Sequence, residues 1–595
     1  MAYGLGETPS TWPAFPPRKW TAIAGNSIEL PCDIIQTSGG NITWERNRVV
    51  LNGRDHETGL HINGRTGTLY ATHLQLIHSG NYSCFDEQFP DAHQTHHLVV
   101  VVQPEVEVEY RERFVRTGQN VSVKCHTAGV PQPTVRWLKN DEPIKNSKNH
   151  ITDGAGYLRI SNVQKSDTAV YKCVAESEAG RSSDSTSLFV MDHDSPNHAA
   201  QKLFVVFFAE GISAYDADQC GIQFHIEGTS VIPGTRELLC GNNFAKCNWG
   251  STVNVLDRYI YASQPLLNRV LVLSLQQMLI VQIVHTDNVP VKLNYVPHLD
   301  QVWIVCWRST ADTHSKTIQL VRDASQKLEH SAIHLEPLHG KYQTFSDFFP
   351  PPIQELAQNL PYTFASGSDG KSLVKIDMRS IRTIATVDLG SNGCRPQKVT
   401  YSTIGGFVFV DCVDIRHGTP RGQLVLDYVT NAVLKQDQSI SGLTYISPDS
   451  RRWVNLGTDV IRIQEIRETG LFYMLDVVTP LHIADVVFHP SHSNQSYDLY
   501  ATSLSKDELF LVEINSHRFM PITNIGSGTG RKLNRWGVPE SRFIASDGIF
   551  GSHVITAAKN SVFVTNTVGR HIDCEIGGLP KPQYALWVYR QADEI

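Results

Sequence analysis

The sequence predicts an all-β protein in which two tandem immunoglobulin-like β-sandwiches precede a β-propeller of about eight blades, with seven blades as the alternative. Two observations predict this architecture. A Cys–Trp–Tyr–Cys pattern occurs twice near the start of the 595-residue chain. Short β-rich runs separated by turn residues then recur through the rest of it, and no amphipathic helix of convincing length interrupts them.

The two Cys–Trp–Tyr–Cys patterns have the same spacing. In each, the Trp follows the first Cys by the same interval, and the Tyr lies two residues before the second Cys. This combination is typical of an immunoglobulin (Ig) sandwich, with an inter-sheet disulfide, a core Trp packed on it and a tyrosine corner. Asp167 completes the second corner, whereas His78 replaces that Asp in the first, which is therefore expected to be less regular. The framework residues are Cys32, Trp44, Tyr82 and Cys84, then Cys125, Trp137, Tyr171 and Cys173.

The patterns divide the chain into five parts. We expect an N-terminal tail at 1–19, a first Ig-like domain at 20–102, a second Ig-like domain of the intermediate set (I-set) at 105–191, a linker at 192–202 and the propeller at 203–595. Only Gln103 and Pro104 separate the Ig domains, which leaves no flexible hinge and predicts a stiff, extended pair.

A repeat becomes visible in the C-terminal region when its strands are aligned. Each unit has a strand, an Asp or Asn that can close an Asx-turn, and a second strand. Fuller units contain four strands in about forty residues, the pattern of a propeller blade. The final strand, YALWVYR, is expected to complete the first blade and so remove an open sheet edge. A pair of sandwiches or an irregular β-domain is the alternative. The turn residues are Asp216, Asp377, Asp427, Asn515 and Asn566.

Eleven cysteines leave at least one without a partner in the chain. Cys394 and Cys412 come opposite each other if the segment between them folds as a hairpin, which predicts a disulfide. The remaining four propeller cysteines allow three connectivities, of which we favour Cys240–Cys247 with Cys220–Cys574. Cys306 is left over on a strand face that should be buried, so it is expected to be an inert free thiol.

Composition excludes several classes of protein. The net charge of −7 and the absence of basic runs argue against nucleic-acid binding, and no apolar stretch is long enough to span a membrane. The N-terminus lacks the apolar region of a signal peptide, yet Ig disulfides persist in oxidising compartments. We therefore expect a fragment of a longer secreted protein. Glycosylation candidates are Asn41, Asn81, Asn120 and Asn494.

Several C-terminal segments resemble the corresponding domain of the follistatin-related protein family. They are CNWGSTVNVLDRYIYASQP, HLDQVWIVCW, DFFPPP, GCRPQ and the terminal CEIGG…ALWV, and two Ig domains precede them in the family's order. The resemblance implies a secreted glycoprotein that modulates growth-factor signalling of the BMP/activin or neurotrophin kind. It also implies calcium binding through upstream EF-hands, which this chain lacks, so no residue here can be assigned to calcium.

The leading functional prediction is a secreted, extracellular binding glycoprotein whose partner is an extracellular or cell-surface protein, such as a growth factor or its receptor. The alternatives are a propeller enzyme of lactonase or hydrolase type and an adhesion-receptor ectodomain. An enzyme would need charged residues or His on the inner strands, and the segments VKLNYV, KVTYST and IADVVFHP offer few. We therefore predict no catalytic residues, no metal site and no cofactor in this chain.

Overall fold

The structure is a computed structural model that describes residues 15–34, 41–51, 59–191, 201–242, 246–335, 345–352, 360–414, 418–457, 459–479, 482–504, 506–526 and 542–590. Most of the expected tail and residues 192–200 of the expected linker lie outside the described residues. All the regular elements described are β-strands and one-turn 3-10 helices, so the prediction of an all-β chain is confirmed. The 3-10 turns are Leu76–His78, Lys165–Asp167, Pro265–Leu267, Pro297–Leu299 and Ile404–Gly406.

The N-terminal region forms two Ig-like sandwiches, as predicted. The strands of the first are β1 (Arg18–Ile23), β2 (Ile28–Leu30), β3 (Ile42–Arg46), β4 (Val49–Val50), β5 (Leu60–Ile62), β6 (Leu69–Ala71), β7 (Gly80–Asp86) and β8 (Phe89–Val108). Those of the second are β9 (Glu112–Arg116), β10 (Val121–Val130), β11 (Thr134–Lys139), β12 (Glu142–Pro143), β13 (His150–Thr152), β14 (Tyr157–Ile160), β15 (Ala169–Ser177) and β16 (Gly180–Met191).

Strand β8 joins the two sandwiches without a break. Its first half pairs with β7 and β1, and its second half pairs with β10, where Val108 faces Cys125 and Val102 faces Val130. The last strand of one sandwich is thus an edge strand of the next, and any rotation between the domains would break ladder hydrogen bonds. This continuity explains why the segment around Pro104 acts as no hinge.

The C-terminal region consists of antiparallel strands that we divide into eight units of four, numbered here sheets 1 to 8 in chain order; sheets 3 and 4 are continuous with each other through a pairing of Lys316 with Phe345. Sheet 1 contains β17 (Gln201–Phe208), β18 (Gly211–Asp216) and β19 (Ile222–Glu227); sheet 2 contains β20 (Thr252–Val255), β21 (Tyr259–Gln264), β22 (Arg269–Ser274) and β23 (Leu279–His285). Sheet 3 contains β24 (Pro290–Val296), β25 (Gln301–Trp307), β26 (Lys316–Val321) and β27 (Ile333–His334); sheet 4 contains β28 (Phe345–Phe349), β29 (Tyr362–Gly367), β30 (Ser372–Asp377) and β31 (Arg382–Asp388).

The remaining sheets have the same construction. Sheet 5 contains β32 (Cys394–Ser402), β33 (Phe407–Asp414), β34 (Pro420–Asp427) and β35 (Val433–Asp437); sheet 6 contains β36 (Leu443–Ile446), β37 (Arg452–Leu456), β38 (Val460–Arg467) and β39 (Gly470–Val478). Sheet 7 contains β40 (Ile483–Pro490), β41 (Tyr497–Ser503), β42 (Glu508–Glu513) and β43 (Arg518–Thr523); sheet 8 contains β44 (Ile544–Ser546), β45 (His553–Ala557), β46 (Ser561–Asn566) and β47 (His571–Gly577).

The final strand, β48 (Tyr584–Arg590), belongs to sheet 1 and not to sheet 8. It pairs antiparallel with β17, with Leu203 opposite Val588 and Phe207 opposite Tyr584. Sheets that are neighbours in the chain share hydrophobic clusters, and a further cluster joins sheet 8 to sheet 1 through Phe204, Ile555 and Trp587. The chain termini of this region are therefore held together by a strand pair and by packing.

Short turns connect the repeated strands where the sequence places Asp or Asn. The side chains of Asp216, Asp377, Asp427 and Asn566 each accept hydrogen bonds from backbone N–H groups two and three residues further on. Asn515 differs, because its side-chain oxygen accepts from the Arg452 guanidinium on the neighbouring sheet. Most of these residues thus close an Asx-turn, and the fifth links two sheets.

Candidate functional site

The two Ig frameworks form the cores of their sandwiches. Cys32 lies bonded to Cys84, with 6.2 Å between Cα atoms, and Cys125 to Cys173, with 6.3 Å. Trp44 and Trp137 are buried beside these disulfides. Their indole N–H groups donate to the backbone carbonyls of Gly67 and Gly156 at 2.7 and 3.1 Å. Each indole N–H group therefore has a hydrogen-bond acceptor in the backbone, and the core needs no polar side chain to provide one.

The two tyrosine corners have the same hydrogen bonds, although the sequence predicts a less regular first corner. The hydroxyl groups of Tyr82 and Tyr171 donate to the carbonyls of His78 and Asp167 at 2.8 and 3.0 Å. In the second corner the Asp167 carboxylate accepts from the Gln164 backbone N–H at 3.0 Å. In the first, His78 Nδ1 accepts the equivalent N–H at 2.8 Å. A histidine can replace the aspartate here because its unprotonated ring nitrogen is also an acceptor.

The C-terminal cysteines lie within bonding distance in three pairs. The Cα separations are 5.0 Å for Cys394 and Cys412, 4.5 Å for Cys240 and Cys247, and 6.6 Å for Cys220 and Cys574. The last pair links the β18–β19 turn of sheet 1 to β47 of sheet 8.

The thiol of Cys306 is fully buried, and burial raises its pKa well above the ordinary value. A thiol in that protonated, enclosed state is a poor nucleophile.

The four glycosylation candidates occupy two different environments. Asn41, Asn81 and Asn120 are exposed on the Ig domains. Asn494 is half-buried in the β40–β41 turn, next to Gln495, whose side chain bonds Thr127 of the second Ig domain. A glycan needs open space around the asparagine amide, so the first three positions suit one and the fourth does not.

The first Ig domain is attached to sheet 5 through a buried ion pair. The Arg46 guanidinium contacts the Asp427 carboxylate, and the two side chains are 0% and 1% exposed. Arg46 also donates to the backbone carbonyl of Ser79 at 3.1 Å, and Asn47 donates to Asp427 at 3.3 Å. We call this contact the first seam. Because both charges are paired and further hydrogen-bonded, the seam can retain an ion pair without water.

A close backbone approach completes the first seam. Gly406, in the β32–β33 turn, has φ of +63°, and a Cβ built there would lie 2.8 Å from the carbonyl oxygen of Ile77. The Ig turn around Ile77 can therefore rest on sheet 5 only because this position lacks a side chain. The core of the first Ig domain and that of sheets 4 and 5 form one continuous hydrophobic cluster.

The second Ig domain contacts sheets 6, 7 and 8 through a second seam of hydrogen bonds. Lys124 donates to the Ile549 carbonyl at 2.9 Å, and Arg451 donates to the Gly129 carbonyl at 3.1 Å. The Tyr157 hydroxyl lies 3.1 Å from His492 Nδ1. The two Ig domains share the continuous strand β8, so no separate linker lies between them. The Ig pair does not extend away from the C-terminal sheets, however, but lies across the turns at one end of them.

Two neutral histidines of sheet 7 connect the second seam to sheet 8 through hydrogen bonds. His492 Nε2 lies 2.8 Å from the Thr567 hydroxyl, which is 3.0 Å from His489 Nε2. His489 Nδ1 is 2.8 Å from the Ser546 hydroxyl. Burial lowers the pKa of His489 to about 3 and that of His492 to about 4, although the nearby Asp547 carboxylate acts in the opposite direction. Both imidazoles are therefore uncharged at neutral pH.

A cleft of 270 Å³ runs beside the first seam, lined among others by His73, Tyr362 and Tyr428. Lys375 reaches it, but its ammonium donates to the Tyr428 carbonyl at 2.7 Å and to the Asn431 side chain at 2.9 Å. The hydrogen bonds of the Lys375 ammonium are thus already made within the protein.

Within the described ranges, no group of three His, Cys, Asp or Glu side chains is placed to hold a metal ion.

Several charged side chains lie on the first strands of the C-terminal sheets, or on β33 beside one of them, where sequence reasoning expected few. We define the lysine–aspartate cluster as Lys292 on β24, Lys398 on β32, Asp411 on β33, Tyr445 on β36 and Asp485 on β40. The Lys398 ammonium lies 3.0 Å from the centroid of the Tyr445 ring. These residues lie far apart in the chain, on strands of different sheets.

Burial is the main influence on the charges of this cluster. It lowers the pKa of Lys398 to about 7, against the opposing effect of Asp411 and Asp485, and raises the pKa of Asp485 to about 6. Burial also lowers the pKa of Lys292 and raises that of Asp411. The lysines thus sit where the protein solvates charge poorly.

Comparison with known proteins identifies relatives of the Ig pair. A model of the immunoglobulin I-set domain matches residues 104–190. Human cell adhesion molecule DSCAM is 29% identical over 174 residues, which are 28% of this chain and 8% of that protein. Mouse hemicentin-1 is 32% identical over 28% of this chain and 3% of its own length. The mouse peroxidasin homolog is 30% identical over 27% of this chain and 11% of its own length. The chain thus spans a small part of the relatives it matches.

Solved structures that match the chain also consist of Ig domains. Sidekick-1 immunoglobulin domains 1–4 are 20% identical, with a TM-score of 0.26 over 30% of this chain and 48% of that one. The two Ig domains of DIP-gamma are 22% identical, with a TM-score of 0.26 over 30% of this chain and 96% of that one. No described helix is long and apolar enough to cross a membrane.

These comparisons correct the resemblance drawn from the C-terminal motifs. The similarity lies with Ig-domain adhesion molecules, hemicentin and peroxidasin, and not with the follistatin-related family, so that identification is wrong. The adhesion molecules matched are not enzymes, in agreement with the prediction that this chain is not one. The alternative of an adhesion-receptor ectodomain fits the comparisons better than growth-factor modulation does.

Proposed function

We propose that this chain is an extracellular binding ectodomain of the cell-adhesion type, which engages a protein on a cell surface. One observation carries the proposal. Both Ig domains, over some 28% of the chain, are about 30% identical to Ig domains of a cell adhesion molecule and of hemicentin-1. Growth-factor modulation rested on the follistatin-related resemblance alone and has no remaining support.

The disulfides support an extracellular location. Five pairs of cysteines lie within bonding distance among the described residues, and such bonds persist in oxidising compartments. The proposal therefore includes secretion or surface display, with glycans at the exposed sequons. It retains the division into Ig-like domains at 20–102 and 105–191 and a C-terminal domain at 203–595.

We further propose that sheets 1 to 8 are the blades of an eight-bladed β-propeller. Three features support it: four antiparallel strands in each unit, a hydrophobic cluster between sheet 8 and sheet 1, and the pairing of β17 with β48. The bond between Cys220 and Cys574 joins the same two sheets. A propeller would serve as a rigid base on which both Ig domains are fixed.

The second seam suggests which Ig surface is free to bind. The seam uses the sheet of β10, β13 and β14, so the opposite sheet, of β9, β11, β12, β15 and β16, faces away. On this free sheet Phe114 is 44% exposed and stacks on Phe189 with 5.0 Å between ring centroids. Val170 is similarly exposed. Exposed aromatic side chains on a flat sheet are typical contact residues in protein interfaces.

The proposal is tested by measuring binding of the tagged chain to a panel of cultured cells. We expect saturable binding that is lost when the cells are treated with trypsin. Phe114→Glu should weaken binding at least tenfold, because it places a charge on the free sheet. Phe472→Glu is the matched control, since Phe472 is 41% exposed on strand β39 of sheet 6. The absence of trypsin-sensitive binding to any cell would refute the proposal, and equal losses in both variants would refute the choice of surface.

A further inference from the structure

One glycosylation sequon lies inside the second seam. It consists of Asn494, Gln495 and Ser496, in the turn between β40 and β41 of sheet 7. The Gln495 side chain accepts a hydrogen bond from the Thr127 hydroxyl of the second Ig domain. A Cβ built on Gly156, which belongs to the same domain, would lie 2.8 Å from the Gln495 amide nitrogen. The middle residue of the sequon is therefore packed against the backbone of the Ig domain.

The closed seam leaves little room around this sequon. Asn494 is half-buried, and its turn and the second Ig domain border a space of about 20 Å³. Such a space is about as large as one water molecule needs. An N-glycan begins with a sugar ring on the asparagine amide nitrogen, which here lies 3.1 Å from the Ser493 hydroxyl. A sugar ring at this point would push the turn away from the Ig domain. Glycosylation of Asn494 and closure of the second seam therefore exclude each other.

The seam makes little use of the polar atoms of the sequon. Asn494 Oδ1, Gln495 Nε2 and Ser496 Oγ are buried, and none of them has a hydrogen-bond partner among the residues that the structure describes. Buried polar atoms of folded proteins are normally paired. Contacts across the seam therefore do not explain why an Asn and a Ser stand at these positions, whereas glycosylation requires both.

The sequon is synthesised before the seam that covers it is complete. Lys124 of the second Ig domain donates to the Ile549 carbonyl, and His492 is hydrogen-bonded to Thr567. Ile549 and Thr567 both follow Asn494 in the chain. The roughly 100 residues after Asn494 take about 5–20 s to synthesise. N-glycans are added to chains that have not finished folding, so Asn494 is accessible during this interval.

We propose that Asn494 is an N-glycosylation site and that its occupancy decides whether the second seam closes. Chains that receive the glycan hold the second Ig domain away from sheet 7, and chains that escape it fold with the seam closed. The glycosylated form exposes the face of the Ig domain that carries Lys124 and Tyr157, which the closed form covers. The inference rests on the extracellular location in the proposed function, because N-glycans are added to chains that enter the secretory pathway.

The test is expression of the whole chain behind a signal peptide in mammalian cells. Enzymatic release of the glycans in water labelled with heavy oxygen marks each modified asparagine by mass, and we expect this mark at Asn494 in a measurable fraction of chains. Opening of the seam is followed by acetylation of Lys124, which is 5% exposed in the closed form. Acetylation should proceed in two phases whose rates differ at least tenfold, and the amplitude of the fast phase should equal the occupancy of Asn494. Lys148, exposed on the same Ig domain, is the internal reference.

Matched variants separate this glycan from the others. Asn494→Gln should leave the slow phase alone, and Ser496→Ala, which removes the sequon but keeps the asparagine, should do the same. Asn41→Gln removes an exposed sequon of the first Ig domain and should behave like the wild type. A glycan at Asn41 with none at Asn494 would overturn the proposal, as would a single slow phase in chains modified at Asn494. If no sequon is modified, the extracellular location fails and this inference fails with it.

Discussion

The second seam should loosen as the pH falls, because it is built on two uncharged histidines. His492 is the direct contact, through Tyr157, and His489 supports it through Thr567. The charged or titratable groups that surround them are Lys124, Arg159, Lys202, Asp547 and Arg570. Most of these are cations, so protonation of either imidazole would add a positive charge to a positive environment.

The sign and size of the effect follow from linkage. The pKa of His492 is about 4 in the structure and 6.5 for a free imidazole, so the opened state binds more protons than the closed one. The closed seam is therefore fully stable above pH 6.5 and loses stability as the pH falls from 6.5 towards 4. At pH 5 the loss amounts to about 2 kcal/mol for His492 if opening exposes it fully.

The assay compares three proteins at pH 7.5 and pH 5.0 by hydrogen exchange at β14 and by denaturant unfolding. The wild type should lose about 2 kcal/mol more than His492→Asn between these two pH values, because asparagine cannot take up the proton. His285→Asn, which changes an exposed histidine on β23, should behave like the wild type. Equal losses in the wild type and His492→Asn would refute the reasoning.

Three further perturbations test the frameworks and seams. Cys125→Ala should cost about 2–5 kcal/mol and lower the secreted yield, and unchanged melting would contradict it. Arg46→Met should cost about 3–5 kcal/mol by leaving Asp427 buried and unpaired, whereas adding Asp427→Asn should restore at least half of it in thermal unfolding. Deleting the residues after Pro582 removes β48 and exposes the edge of β17, so size-exclusion chromatography should show aggregates; a soluble monomer would count against the closing role of β48.

The Ig frameworks could be predicted from the sequence because local spacing determines them. A Cys, a Trp and a Tyr two residues before the next Cys occur in a fixed order along a short stretch of chain, and no distant residue is needed to recognise them. The corner at His78 shows the limit of this pattern. A residue type that departs from the usual aspartate still makes the same hydrogen bond, because the position requires an acceptor and not a charge.

The seams could not be predicted, because they depend on single residues far apart in the chain. Arg46 and Asp427 are separated by 381 positions, and Asp427 already has a complete local explanation as a turn residue. The lysine–aspartate cluster could not be predicted from the sequence for a similar reason. A lone lysine in a segment such as KVTYST is usually a solvated side chain, and only the tertiary structure places the Lys398 ammonium over the Tyr445 ring of the next sheet.

The two seams should respond to different conditions, and this difference decides how the Ig pair could move. The first seam is a buried ion pair between an arginine and an aspartate, which salt screens weakly. The second depends on neutral histidines and weakens below pH 6.5. Acid should therefore release the second Ig domain first. Because β8 continues from one domain into the other, that domain cannot swing freely. It can leave sheets 6 to 8 only by bending or breaking the β8 ladder, so the first seam and the continuous strand together limit any opening.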